Sequence, residues 1–312
     1  MAEPWALPPG LRVDEQQAWF ALQAWQREFV AAGASRGRPS PTAIDPTPPV
    51  PPTVEPTGGI AVRIERSLAA IDAMFADPAV AERVRARQRR LLGHEPTPST
   101  VGALELLTVD RIASRGAAGR TVMHAGVGGV TGSVAAGAVV TGAATGGLAL
   151  GAAAGVVALA ALADASFVVL QASRTTTRIA TAYGFDPRRA EEQAAVLAVV
   201  ATALARPRDR AAALGRSHHI AGLIMDRSAR GMAADGLARG LVHQLHRGVV
   251  LSVSGHPVRR GVPVVGAVLG SAATARTARH VEQVARQLYR DRFLRRRSLL
   301  ARLGQDAWVA ES

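Results

Sequence analysis

From Thr121 to Ser173 the chain carries one charged residue, Asp164, between flanking Arg120 and Arg174. The rest is Ala, Gly, Val, Leu, Thr and Ser, with a few others such as Met123, His124, Phe167 and Gln171. A run this long without charge is hidden from water, either in the core of a helical protein or in a bilayer. Around it, apolar positions recur at helical spacing. Val13 to Ala32 has Trp19, Phe20, Leu22, Trp25 and Phe29 on one side, and Val62 to Phe75 has Val62, Ile64, Leu68, Ile71 and Phe75. Asp77-Pro78 supplies a cap and a first-turn proline for a very basic helix ending at Gly93. Pro96 to Ser99 reads as a loop and Thr100 to Ala117 as a helix. Leu148 to Tyr183 predicts a long helix stopped by Gly184. Asp186-Pro187 then opens another that runs to about Ala205. Arg208–Met225, Ser228–His246 and Val264–Leu303 follow as helices, with Val249–Val253 as a short extended piece. No period-2 segment of any length is present. The pattern predicts an all-α, multi-helix domain around a Gly/Ala-rich helical hairpin. The hairpin's first arm, Thr121–Ala144, is set off from the second by Thr145-Gly146-Gly147.

Proline divides the chain. Pro39, Pro41, Pro46, Pro48, Pro49, Pro51, Pro52 and Pro56 exclude helix and central strand. Residues 1–35 therefore hold an amphipathic helix, tethered or docked on the main body. Residues 36–59 form a linker, 60–303 the main helical domain and 304–312 a tail.

Charge narrows the choice of partners. The formal net charge is +13, and from Arg206 onward 19 arginines face 7 acids. Such a basic half attracts phosphate, on lipid or on nucleic acid. The chain contains neither lysine nor asparagine, so part of the arginine content reflects a GC-rich coding bias and a plain solvated face. With no cysteine, disulfides, zinc–thiolate sites and cysteine nucleophiles are excluded. Met1–Gly10 has neither the basic nor the apolar region of a secretory signal, so a cytoplasmic location is expected.

Several constellations invite chemistry. Gly147, Gly151 and Gly155 recur every fourth residue, as do Gly142 and Gly146, and Gly266 and Gly270. Each glycine costs about 1 kcal/mol against alanine in a helix, so this ladder fits a face that another helix must approach closely. Leu148–Leu170 is long enough to span a bilayer, but it is weakly apolar and contains Asp164. A transmembrane pair and a covered or peripherally inserted hairpin both remain open. Asp164, Gln171, Thr175 and Arg178 share one helical face, a polar seam in which Asp164 is expected to pair with Arg276 or Arg279 of the last helix. That last helix sets Val281, Val284, Leu288, Phe293, Leu294, Leu299 and Leu300 against arginines. Arg290, Arg292, Arg295, Arg296 and Arg297 become candidate contacts for anionic lipid if the helix lies at an interface. The alternative is an ordinary helix docked on its own core. Gly126–Gly132 fails the dinucleotide pattern at Thr131, and a P-loop is impossible without lysine. His243 and His246, three residues apart, and the adjacent His218-His219 are weak metal candidates without an acid on the expected face.

The stretch LALGAAAGVVALAALADASFVVLQASRTTTRIATAYGFD, with Ala163-Asp164 and the corner Tyr183-Gly184-Phe185-Asp186, resembles the glycine-rich hairpin of the EcsC protein family. RGVPVVGAVLGSAATARTARHVEQVARQLY, Arg260 to Tyr289, is similar to that family's closing turn and helix. The resemblance covers roughly Gly126 to Phe293. It implies a mainly helical protein at the inner face of the cell membrane, an accessory or scaffold linked to an ABC transporter, without catalysis or cofactor. Its partners would be membrane lipid or a membrane protein. A soluble helical enzyme and a nucleic-acid binder are the rival readings.

Overall fold

The structure, a computed structural model, describes residues 7–34, 59–114, 150–229, 235–254 and 263–311, with the backbone alone at 150–164, 251–254, 263–274 and 302–311, among others. Among these residues every regular element is a helix. In chain order they are α1 (Val13–Ala34), α2 (Gly59–Ala76), α3 (Ala79–Leu92), α4 (Pro98–Ala103), α5 (Leu106–Ser114), α6 (Leu150–Ala182), α7 (Ala190–Ala203), α8 (Arg210–Ala229), α9 (Asp235–Ser254) and α10 (Pro263–Glu311). A 3₁₀ turn, Pro207–Asp209, precedes α8. The all-α expectation holds.

α6 is the axis of the body. Its 33 residues span about 50 Å at 1.5 Å per residue. It packs against α2, α3, α5, α7, α9 and α10. Beyond its first turn α7 is apolar on all sides up to Ala201, and Ala194 to Val200 are buried without interruption. A helix of that kind must be wrapped, and α6, α8, α9 and α10 enclose it. α2 presents Leu68, Ile71 and Phe75 to this core, while Val62 stays exposed. α1 docks on α8, the 3₁₀ turn and α10, burying Trp19, Leu22 and Phe29. Docking, rather than free tethering, is the state of the N-terminal helix.

Local signals decide several helix ends. Thr97 and Thr100 form a capping box, with Thr97 N donating to Thr100 Oγ1 at 2.9 Å and Thr100 N to Thr97 Oγ1 at 3.2 Å, and Pro98 follows. Gly93 closes α3 at φ +76°. Gly184 closes α6 at φ +78°. There Gly184 N donates to Thr181 O and Phe185 N to Ala180 O, both at 3.0 Å, a complete Schellman motif.

Four expectations are corrected. Thr100–Ala117 is not one helix, because Leu104 at ψ 151° breaks α4 from α5. Pro187 does not open α7. The Asp186 carboxylate accepts from Arg188 N at 3.2 Å, which makes a turn, and the helix starts at Ala190. α9 runs from Asp235 to Ser254, not from Ser228 to His246, and takes in Val249–Val253, because Val249 and Val250 are buried against the core and packing outweighs their extended preference. α10 continues through 304–311, where a tail was expected. The first hairpin arm with Gly142, and the break with Gly146 and Gly147, lie outside the described residues.

A Cβ at Gly184 would meet Val101 at 2.9 Å, whereas one at Gly93 would meet nothing within 4 Å. Gly93→Ala is therefore expected to cost about 1 kcal/mol from backbone strain alone, and Gly184→Ala about 2–3 kcal/mol. Urea denaturation midpoints of the two variants check the difference.

Candidate functional site

The corner Tyr183-Gly184-Phe185-Asp186 is where several helices converge. It begins as a helix C-terminus, whose last carbonyls need donors and favour positive charge. Gln88 of α3, almost wholly buried, donates to Thr181 O at 2.9 Å and Ala182 O at 3.2 Å. Arg296 of α10 donates to Tyr183 O at 3.3 Å and Gly184 O at 3.2 Å. Tyr183 Oη donates to Asp110 of α5, whose other carboxylate oxygen takes Arg290. Arg85 of α3 reaches Asp186 at 3.4 Å. Phe185 lies beneath two guanidinium groups, Arg292 at 4.3 Å and Arg296 at 4.7 Å.

Next to the corner sits a buried ion pair. Arg292 of α10 binds Glu192 of α7 through both nitrogens, at 2.8 and 2.6 Å, with side chains 4% and 9% exposed. Tyr289 lies 5.2 Å from the same guanidinium. Burial pushes its phenol above the ordinary tyrosine value. Burial, followed by the Asp110 carboxylate, does the same to Tyr183. Both phenols are therefore neutral at physiological pH.

The five arginines expected as lipid contacts are thus engaged within the chain, Arg292 buried and Arg295 with 36% of its side chain exposed. Arg290 holds Asp110, Arg292 holds Glu192, and Arg296 caps α6. Arg295 binds the buried Asp291 at 2.9 Å and covers Trp19 at 5.1 Å. Arg297 pairs with the buried Glu15 of α1 and donates to Leu104 O at 2.9 Å. Val281, Val284, Leu288, Phe293 and Leu294 are all buried, so α10 is docked on its own core. The periodicity of α10 has the form of an interfacial helix, but the groups its arginines meet come mostly from distant segments of the chain.

The described members of the polar seam have different surroundings. Gln171 and Thr175 are buried on α6. Arg178 turns to α3, donating to Val80 O at 3.3 Å. Arg276 and Arg279 are exposed on α10. Asp164 lies on α6, with its side chain outside the described residues, as is the packing of Gly151, Gly155, Gly266 and Gly270. His243 and His246 do not converge on one ligand. His243 is exposed and 3.7 Å from Glu65 of α2, whereas His246 is fully buried. Among the described residues no cluster of three His, Asp or Glu is placed to hold a metal ion.

Two depressions open on this body. A groove of about 630 Å³ runs between α2, α9 and the start of α7, lined by Glu65, Asp72, Phe75, Arg188, Val242 and His243 among others. A smaller one, of about 230 Å³, lies at the corner beside Gln88, Thr97 and Phe185.

Glu192→Ala would leave Arg292 buried without a counter-charge, and the expected loss is about 3–5 kcal/mol. Replacing both partners, by Glu192→Leu with Arg292→Met, is expected to recover most of it. Denaturation midpoints of the single and double variants check this. Histidines add a pH dependence. Burial is the first cause that lowers the pKa of His218, His280 and His246, the last to about 4. The folded state thus favours neutral imidazole. Its contribution is present above the ordinary value near 6.5 and is lost as pH falls toward 4. Between pH 7 and pH 5 the unfolding free energy is expected to drop by about 1–2 kcal/mol, and His246→Gln is expected to flatten that slope.

No curated protein and no solved structure matches the chain. The model of the EcsC protein family matches residues 97–294. That span runs from the Thr97 cap to Leu294 and contains the corner with most of the helices that secure it. It is well over half of the 312 residues, and the chain belongs to the EcsC protein family.

Proposed function

We propose that the chain is a membrane-associated accessory or scaffold protein that works by binding, without catalysis, at the inner face of the cell membrane and alongside a membrane protein such as an ABC transporter. The observation that carries this reading is the stretch from Thr121 to Ala163, which has no charged residue. Its alanines and glycines offer small-residue faces, with Gly142 and Gly146, and Gly147, Gly151 and Gly155, at spacings that let another helix approach closely. Among the described residues no helix is long and apolar enough to cross a membrane. Residues 121–164, including the first half of α6, lie outside that statement. The ABC-transporter link rests on the family resemblance.

The inward arginines revise the mode of attachment. Arg290, Arg292, Arg295, Arg296 and Arg297 are occupied by carboxylates, backbone carbonyls and aromatic rings of the chain itself. Anchoring is assigned instead to the uncharged run, and apolar burial is insensitive to salt, whereas headgroup attraction is screened.

Vesicle flotation of the full chain tests this at salt concentrations of about 0.1 M and about 1 M, over which the Debye length falls from ~10 to ~3 Å. The chain is expected to float with zwitterionic and with anionic vesicles at both salts. Flotation confined to anionic vesicles at low salt would move the attachment to exposed arginines. A chain that floats under no condition overturns the membrane reading and leaves the soluble-enzyme and nucleic-acid alternatives.

A further inference from the structure

α1 differs from the other helices in how it is held. Its main packing partners are the 3₁₀ turn, α8 and α10. It runs antiparallel to α10. Gly10 lies against Ala301, Glu15 pairs with Arg297, Trp19 lies under Arg295, and Phe29 stacks on His280 at 6.0 Å. Its other flank meets α8, where Gln26 lies 3.5 Å from His218 and Arg210 covers Phe29 at 4.9 Å. At the far end α1 crosses the 3₁₀ turn so closely that a Cβ on Gly33 would fall 2.0 Å from the Pro207 carbonyl. The two walls of this groove lie in the family-matched span as far as Leu294, and α1 lies outside it. Twenty-four residues, eight of them proline, separate Ala34 from Gly59, a composition suited to a spacer.

A helix that adds one buried stripe, Trp19, Leu22 and Phe29, to the common core, and is joined to it by a long proline-rich stretch, has the form of a helix-in-groove ligand attached to its own receptor. Aromatic anchors in buried pockets supply most of the binding in such contacts. Here these are Trp19 and Phe29, each covered by an arginine. We propose that the groove between α8 and α10 is a helix-docking site with an exchangeable occupant. α1 fills it within one chain and, at high local concentration, fills the same groove of a second copy. The second copy is the occupant of choice because its complementarity is already formed: the acidic Glu15 for Arg297, Trp19 for Arg295, and glycine where Pro207 leaves no room. Tethering gives α1 an effective concentration of roughly millimolar, so the closed monomer dominates when the protein is dilute.

The test uses the full chain and a labelled peptide of residues 7–34. Trp19→Ala with Phe29→Ala in the full chain weakens the tethered occupant without altering the groove. The peptide is expected to bind this variant at least about ten times more tightly than it binds the parent chain, as release of a tethered competitor requires. Gly33→Ala, which touches only the crossing at Pro207, is expected to shift binding in the same direction to a smaller extent. Sedimentation of the parent chain toward millimolar concentration is expected to show a dimer that the double variant does not form. Absence of peptide binding to both variants while the helical body still melts cooperatively overturns the proposal. So does a global loss of helicity in both, which would make α1 part of the core. A parent chain that is monomeric at every concentration overturns exchange between copies.

Discussion

The end of α6 must be satisfied inside the protein, and much of the rest is arranged around that need. A helix C-terminus leaves carbonyls without intrahelical donors, and in a buried place each one lacks water as well. Gly184 turns the chain with a left-handed residue that no side chain tolerates cheaply, and so two carbonyls find backbone donors. Gln88 and Arg296 supply the others from helices far away in the chain on either side. α3 and α10 are thereby drawn to one point.

The same point explains the arginines. A guanidinium can be buried where its planar face stacks on an aromatic ring and its edge meets carboxylate or carbonyl oxygens. Arg292 meets both conditions, with Glu192 at its edge and Phe185 on its face. Arg296 meets them with the Tyr183 and Gly184 carbonyls and Phe185. Burying such ions is costly, so the pairs specify where α10 sits more than they add net stability. A large positive total in this chain is consistent with a basic helix whose charged end faces inward.

This arrangement bears on how the chain meets its surroundings. With the arginine end of α10 engaged internally, the proposed associations rest on the uncharged Ala/Gly run and the helix-sized groove that α1 occupies. The first is a contact of shape and apolar area, and the second adds the Glu15–Arg297 pair. The acids of the open groove, Glu65 and Asp72, lie on α2, on the side of the body that faces α9.

The sequence by itself determined the helical class, several helix ends and the family. Apolar periodicity, Gly93, Gly184 and the Thr97–Thr100 pair are local signals that act within a turn or two. It also marked Tyr183-Gly184-Phe185-Asp186 as a distinct corner. Periodicity could not assign the five arginines of α10, because a basic amphipathic helix has the same spacing at a membrane and on a core. Their partners, Glu15, Leu104, Asp110, Tyr183 and Glu192, are scattered from the first helix to the seventh. Val249–Val253 has an extended preference, and its helical state goes with the burial of Val249 and Val250 against neighbours. Tertiary structure alone decided which charges face inward, since that depends on which distant side chains share a few ångströms of space.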